Sequence, residues 1–195
     1  MSLTAAVWFV ILCALVMANL PFLMERRLAP WPWGQGAADT ALSALSRWGL
    51  ALVFLAALAL WCWATLDLVG GSFAGGGSAT VLFLVKLLIS LLAAGVLLAL
   101  PGWRRAAASV PADDAGAGRA NTAGRVTPAV KSFFDRFLEL LIGYALVGTL
   151  GFALELNLGN AFPQGWEFYA VTLALFLVLG YPGFVWRYMM RRHPR

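Results

Sequence analysis

The sequence predicts an all-α, polytopic membrane protein with five transmembrane helices, its N-terminus outside and its C-terminus cytoplasmic, and three observations carry that prediction. The 195 residues are 62% hydrophobic and only 12% charged, with a mean hydropathy of +0.81. Soluble domains carry about 45–50% apolar and about 25% charged residues, so a soluble fold of this composition would lack the charge to cover its surface. Five continuous apolar runs are each close to the roughly 20 residues needed to cross a hydrocarbon core of about 30 Å. Thirteen of the fourteen Lys and Arg residues fall in alternate connections and the C-terminal tail.

The runs cover about residues 3–24, 48–69, 79–100, 137–154 and 168–186 of a single membrane domain, 1–195. They are continuously apolar and rich in Leu and Ala, without the alternation of a membrane β-barrel. The first has no basic stretch before it and no small-x-small cleavage site before Glu25-Arg26-Arg27, so it reads as a retained helix. Asn19 and Pro21 fall near its inner end, and Pro182 near the inner end of the fifth. Each proline frees a backbone carbonyl, and the Asn19 amide is placed to satisfy one.

In the first connection, Pro30-Trp31-Pro32-Trp33 is non-helical and suited to the interface, and Asp39 or Thr40 is a candidate cap for a helix leading into the second span. The stretch GGSFAGGGS is a tight, uncharged hairpin, which makes the second and third helices antiparallel neighbours. Residues 102–128 are rich in Ala, Gly, Pro and small polar residues and read as a flexible cytoplasmic linker. In the last span, Trp166, Phe168 and Tyr169 mark one interface, and Tyr181, Phe184, Trp186 and Tyr188 mark the other beside Arg187, Arg191 and Arg192.

Orientation follows from the cations. The first connection holds Arg26, Arg27 and Arg47, the third holds Arg104, Arg105, Arg119, Arg125, Lys131 and Arg136, and the tail holds Arg187, Arg191, Arg192 and Arg195. The N-terminus and the other two connections hold none. Cations are retained on the cytoplasmic side, which sets the orientation given above.

Polar residues inside a membrane are functional suspects. Lys86 costs about 2.5–3.5 kcal/mol to insert, which nine leucines between Ala79 and Leu100 offset at about 0.3–0.6 kcal/mol each. Asp67 lies at a similar axial depth, so either a Lys86–Asp67 pair or a snorkelling Lys86 is expected. Glu139, three residues after Arg136, is at helical pairing distance and reads as interfacial charge balance. Gly148, Gly151 and Glu155 share one face of the fourth helix, where small residues permit close helix approach. The hairpin that follows contains the turn from Asn160 through Pro163, Gln164 and Gly165, and Glu155 and Glu167 flank that turn with no cation on this side. With Trp166 and Tyr169, these residues form the candidate partner-contact set.

No catalytic set stands out. The single histidine, His193, lies in the tail, which excludes bis-histidine haem and histidine metal sites. Cys13 and Cys62 fall in apolar mid-helix positions, and no phosphate-binding glycine motif is present. The expectation is a protein that is not an enzyme, with no cofactor, no metal and no nucleic-acid partner.

The stretches AAVWFVILCALVMANLPFLMERRL, KSFFDRFLELLIGYALVGTLGFALE and FPQGWEFYAVTLALFLVLGYPGFVWRYMMRR resemble a small family of bacterial inner-membrane proteins of unknown function. The resemblance rests on Ala18–Phe22, Pro163–Tyr169 and Tyr181–Tyr188, with Tyr181 where the family commonly has Phe. Family genes lie beside the operon for respiratory complex I, the proton-pumping NADH:quinone oxidoreductase. The resemblance therefore implies a multi-pass protein of the bacterial inner membrane, an accessory subunit or assembly factor whose partners are the lipid bilayer and membrane subunits of complex I. Family members have three helices, so residues 37–105 read as an inserted hairpin. The alternative reading is a small transporter or ion-conducting protein using Lys86 and Asp67.

Overall fold

In a computed structural model, every regular element among the described residues is a helix, and five helical segments are long and apolar enough to cross a membrane. The structure describes residues 3–31, 44–71, 77–108, 131–159 and 162–190, without the side chains of 44, 77–79 and 102–108. The elements are α1 (Leu3–Leu23), α2 (Ala44–Gly70), α3 (Gly77–Ala108), α4 (Phe133–Asn157), α5 (Trp166–Leu179) and α6 (Tyr181–Val185), with a π-helical segment at Trp186–Met190 completing the last span. The expected features at Pro32, Trp33, Asp39, Thr40, Asn160, His193, residues 72–76 and residues 109–128 lie outside the described residues.

α4 is the central element. It packs against α1 on one side and α2 on the other, while α3 packs on α2 and the α5–α6 rod leans mainly on α1. Half of the apolar window of α4 is buried, against 17% for the last span, so the core lies along α4. Two side-chain clusters fill its flanks. Phe54, Leu58 and Trp61 of α2 meet Ile142, Leu146 and Leu150 of α4, and Ala14, Ala18 and Phe22 of α1 meet Leu140 and Val147 of α4 and Phe176 of α5. Residue pairings give the directions. Asn19 meets Leu179 and Gly183, and Arg136 meets Pro21, so α1 runs with α5 and against α4. Cys62 meets Thr149 and Val69 meets Asn157, so α2 runs with α4.

These alternating directions give the molecule two distinct ends. The starts of α2 and α4 and the ends of α1 and the last span form a basic end, with Arg26, Arg27, Arg47, Lys131, Arg136 and Arg187. Asp67, Glu155 and Glu167 belong to the opposite, acidic end.

Several boundaries differ from the sequence expectation. α2 begins at Ala44 and α4 at Phe133, each four residues early. α4 is extended by a reciprocal cap in which Ser132 Oγ accepts the Phe134 N–H at 3.3 Å and Asp135 Oδ2 accepts the Ser132 N–H at 3.3 Å. It ends where Gly159, at φ +80°, turns the chain out of the helix. α3 continues to Ala108, so the first seven residues of the expected 102–128 linker are helical. The apolar span supplies the helical nucleus, and the strong formers Arg104, Arg105 and Ala106–Ala108 propagate it.

Candidate functional site

The seam between α1 and α4 is built from small residues and then locked by charges. Gly143 of α4 sits so close to α1 that an added Cβ would stand 3.4 Å from the Met17 carbonyl oxygen, and one on Gly151 would touch Val10 at 3.7 Å. With the backbones this close, the chain leaving α1 is carried directly over the first turns of α4. Arg27 there pairs with Asp135, Nη2 to Oδ2 at 3.4 Å. Lys131 pairs with Glu139 and also donates to the Arg26 carbonyl at 3.0 Å. The other oxygen of Glu139 accepts the Leu28 N–H at 2.7 Å. Arg136 Nη1 donates to the Pro21 carbonyl at 2.6 Å and to that of Phe22 at 3.4 Å.

All five of these charged residues are buried, Asp135 and Arg136 at 0% and 1% exposure. Burial pulls the Lys131 ammonium below the usual lysine range, and the Glu139 carboxylate opposes that shift. At the rim, Arg187 Nη1 meets Glu25 Oε1 at 3.0 Å. The cluster does two things chemically. It satisfies the carbonyls and amides freed where α1 ends, and it fastens the 25–31 segment onto α4.

This corrects the expected pairing of Glu139. Its partner is Lys131, which precedes the Ser132 cap, and the pair is buried within the protein. Arg136, three residues earlier, turns instead to the Pro21 and Phe22 carbonyls, which α1, ending at Leu23, leaves without intrahelical donors. Sequence reasoning counted Arg27, Lys131 and Arg136 only as connection cations and did not single out Asp135. The available signal was the four-residue spacing of Lys131, Asp135 and Glu139, which places the three on one side of the α4 start.

Next to the seam, Asn19 joins α1 to the break between α5 and α6. Its Nδ2 donates to the Leu179 carbonyl at 2.9 Å and to Leu15 O at 2.7 Å, while its Oδ1 accepts the Gly183 N–H at 2.7 Å. In an unbroken helix the Gly183 N–H would donate to Leu179 O. The Asn19 amide is inserted between those two groups and satisfies both, as Pro182 requires of a neighbouring helix. A Cβ on Gly183 would stand 2.8 Å from Asn19 Oδ1, and one on Gly180 would stand 3.1 Å from the Ala18 carbonyl oxygen, so both glycines permit the close approach.

Toward the acidic end, α5 parts from α1 and α4. A cleft of about 730 Å³ opens there, lined chiefly by apolar side chains of α1, α4 and α5. Its inner limit is a rung at mid-depth. Tyr144 Oη meets Thr172 Oγ1 at 2.8 Å and donates to the Tyr169 carbonyl at 3.1 Å, and the Tyr144 and Phe176 rings pack edge to face. Beyond the rung, nothing lies within 4 Å of where a Cβ on Gly148 would stand. Glu155 lies at the mouth, and its carboxylate has no hydrogen bond or ion pair among the described residues.

The structure brings four of the expected contact residues to this cleft: Gly148, Gly151, Glu155 and Tyr169. The small-residue face is split, because Gly151 packs on α1 and Gly148 stands open. Pro163, Gln164, Gly165, Trp166 and Glu167 lie at the same end but do not line it. Lys86 is half-buried and Asp67 exposed, and no ion pair joins them. Similar depth did not imply a similar bearing around the hairpin axis. The α2–α3 contact is made instead by Trp61 Nε1, which donates to Ser90 O at 3.0 Å, and by the Thr65 and Ser90 hydroxyls at 2.8 Å.

A family model described as "Protein of unknown function (DUF2818)" matches residues 119–191. The matched segment contains α4, α5, α6 and four of the five buried charges, and Arg27 and Asn19 lie outside it. No curated protein and no solved structure matches the chain.

Proposed function

We propose that the chain is a non-catalytic protein of the bacterial inner membrane that associates with the membrane arm of respiratory complex I as an accessory subunit or assembly factor. The observation that carries the non-catalytic reading is the arrangement of the buried charges. Arg27, Lys131, Asp135, Arg136 and Glu139 meet one another and the α1 backbone, while the cleft is lined mainly by apolar side chains. Polar chemistry of this kind holds helices together where water is absent.

The basic end supports a cytoplasmic C-terminus through the retention of cations on that side. The named partner follows from the family resemblance alone. That residues 37–105 are an added hairpin also follows from the resemblance alone, since the matched segment, 119–191, leaves out α1 as well as α2 and α3. The alternative is a small transporter or ion-conducting protein working through Lys86 and Asp67, which form no ion pair with each other.

The test is native electrophoresis. The full chain, tagged at its C-terminus, is extracted in mild detergent and run on a gel stained for NADH oxidation, with mass spectrometry of the tagged band. Co-migration with a large NADH-oxidising particle is expected, and Lys86→Leu should leave it unchanged. A band of monomer size, together with loss of a transport activity in Lys86→Leu, would overturn the proposal in favour of transport.

A further inference from the structure

We propose that the cleft between α5 and the α1–α4 pair is a site for one phospholipid with a cationic amine headgroup, drawn from the leaflet at the acidic end. The cleft runs from Tyr144 to Leu158 along α4, about 21 Å at 1.5 Å per residue. A single leaflet contributes about half of a hydrocarbon core of roughly 30 Å, with the headgroup zone beyond it. The cleft therefore spans one leaflet and its headgroup layer.

Its closure at mid-depth decides between occupants. The Tyr144–Thr172 rung and the Tyr144–Phe176 packing join α4 to α5 halfway through the molecule. An acyl chain ends at that level, whereas a transmembrane helix from another protein has to continue through the opposite leaflet. Gly148 leaves the wall open for a chain to lie along α4.

The mouth decides the headgroup. Glu155 stands there with its carboxylate free among the described residues. Asp67 and Glu167 share this end, and neither the connection at 71–76 nor that at 158–165 holds a Lys or Arg. An anionic headgroup would meet carboxylates with no basic side chain in these connections to receive it, and an ammonium group would meet Glu155. Such a site selects as much by repelling the wrong headgroup as by attracting the right one. It does not depend on which protein partner the chain has.

The experiment is native mass spectrometry of the full chain in mild detergent, supplied with equal amounts of phosphatidylethanolamine and phosphatidylglycerol. One phosphatidylethanolamine should be retained in preference to phosphatidylglycerol by about fivefold, the scale of an exposed ion pair. Glu155→Gln should remove most of the preference, and Glu25→Gln, at the opposite end of the molecule, should keep it. Gly148→Leu, which fills the cleft from an open position, should lower retention of both lipids. Equal retention of the two lipids by the unaltered chain would overturn the proposal, as would retention indifferent to Gly148→Leu. Cross-linking of a partner protein's helix to position 148, with lipid retention unchanged, would overturn it in favour of a helix.

Discussion

The two halves of α4 meet their neighbours in different ways. At the basic half, α1 and α4 lie backbone to backbone at Gly143, and the charges of Arg27, Lys131, Asp135 and Glu139 close the seam above them. At the acidic half, α5 stands away from Gly148 and the space between is an apolar cleft. Leu and Phe side chains are as content against lipid as against each other, so apolar character alone does not decide where helices touch in a bilayer. Small residues and polar groups that must be satisfied decide it. Where α5–α6 has Gly180, Gly183 and the Asn19 amide, it is held against α1. Toward the acidic end its polar ties to α4 among the described residues are those from Tyr144 to Thr172 and the Tyr169 carbonyl, and past them α5 parts from α4.

The largest effect is expected at the charged seam. Removing one partner of a buried ion pair strands the other, at a cost of about 3–5 kcal/mol. We predict a loss of that size for Lys131→Ala or Glu139→Ala, read as the unfolding midpoint of the purified chain in detergent. A loss under 1 kcal/mol would mean that the pair holds nothing. At the next contact, Asn19→Leu leaves the Gly183 N–H and the Leu179 carbonyl unsatisfied, for about 1–3 kcal/mol. Hydrogen exchange at Gly183 should rise in step, and unchanged exchange there would remove Asn19 from the account.

The hairpin offers a smaller effect. Thr65→Val removes the hydroxyl contact with Ser90, for about 0.6 kcal/mol on the scale of membrane interhelical hydrogen bonds. The smallest effect sharpens the comparison most. Gly148→Ala meets open space and should change stability by less than about 0.5 kcal/mol, while Gly183→Ala drives a Cβ to within 2.8 Å of Asn19 Oδ1 and should destabilise clearly. Equal responses at the two glycines would erase the distinction between a closed seam and an open cleft.

Much of the architecture was legible in the sequence, because length and apolar composition are what a bilayer demands of a helix. The five runs correspond to five helices, and the placement of cations in alternate connections matches the alternating helix directions. Asn19 was readable as well, since a proline-freed backbone near an in-membrane amide is a short-range requirement with few solutions. Glu139 was not. The spacing rule pointed to Arg136 on the same helix, whereas the true partner sits ahead of the helix cap and the neighbouring Asp135 takes Arg27 from more than a hundred residues away. The Lys86–Asp67 pair is absent for a related reason, because axial depth was readable and rotation about the helix axis was not. The cleft depends on how far α5 leans from α4, which no local pattern encodes.

The most direct test of the claim that the buried charges build the seam is a double-mutant cycle on Lys131→Met and Glu139→Gln. Glutamine keeps an oxygen for the Leu28 N–H, so the cycle isolates the charge pair. The account predicts that each single variant lowers the unfolding midpoint and that the double variant recovers most of the loss, since removing both buried charges removes the stranded one. Losses that simply add, with a coupling below about 0.5 kcal/mol, would contradict the account and leave Lys131 and Glu139 free for another role.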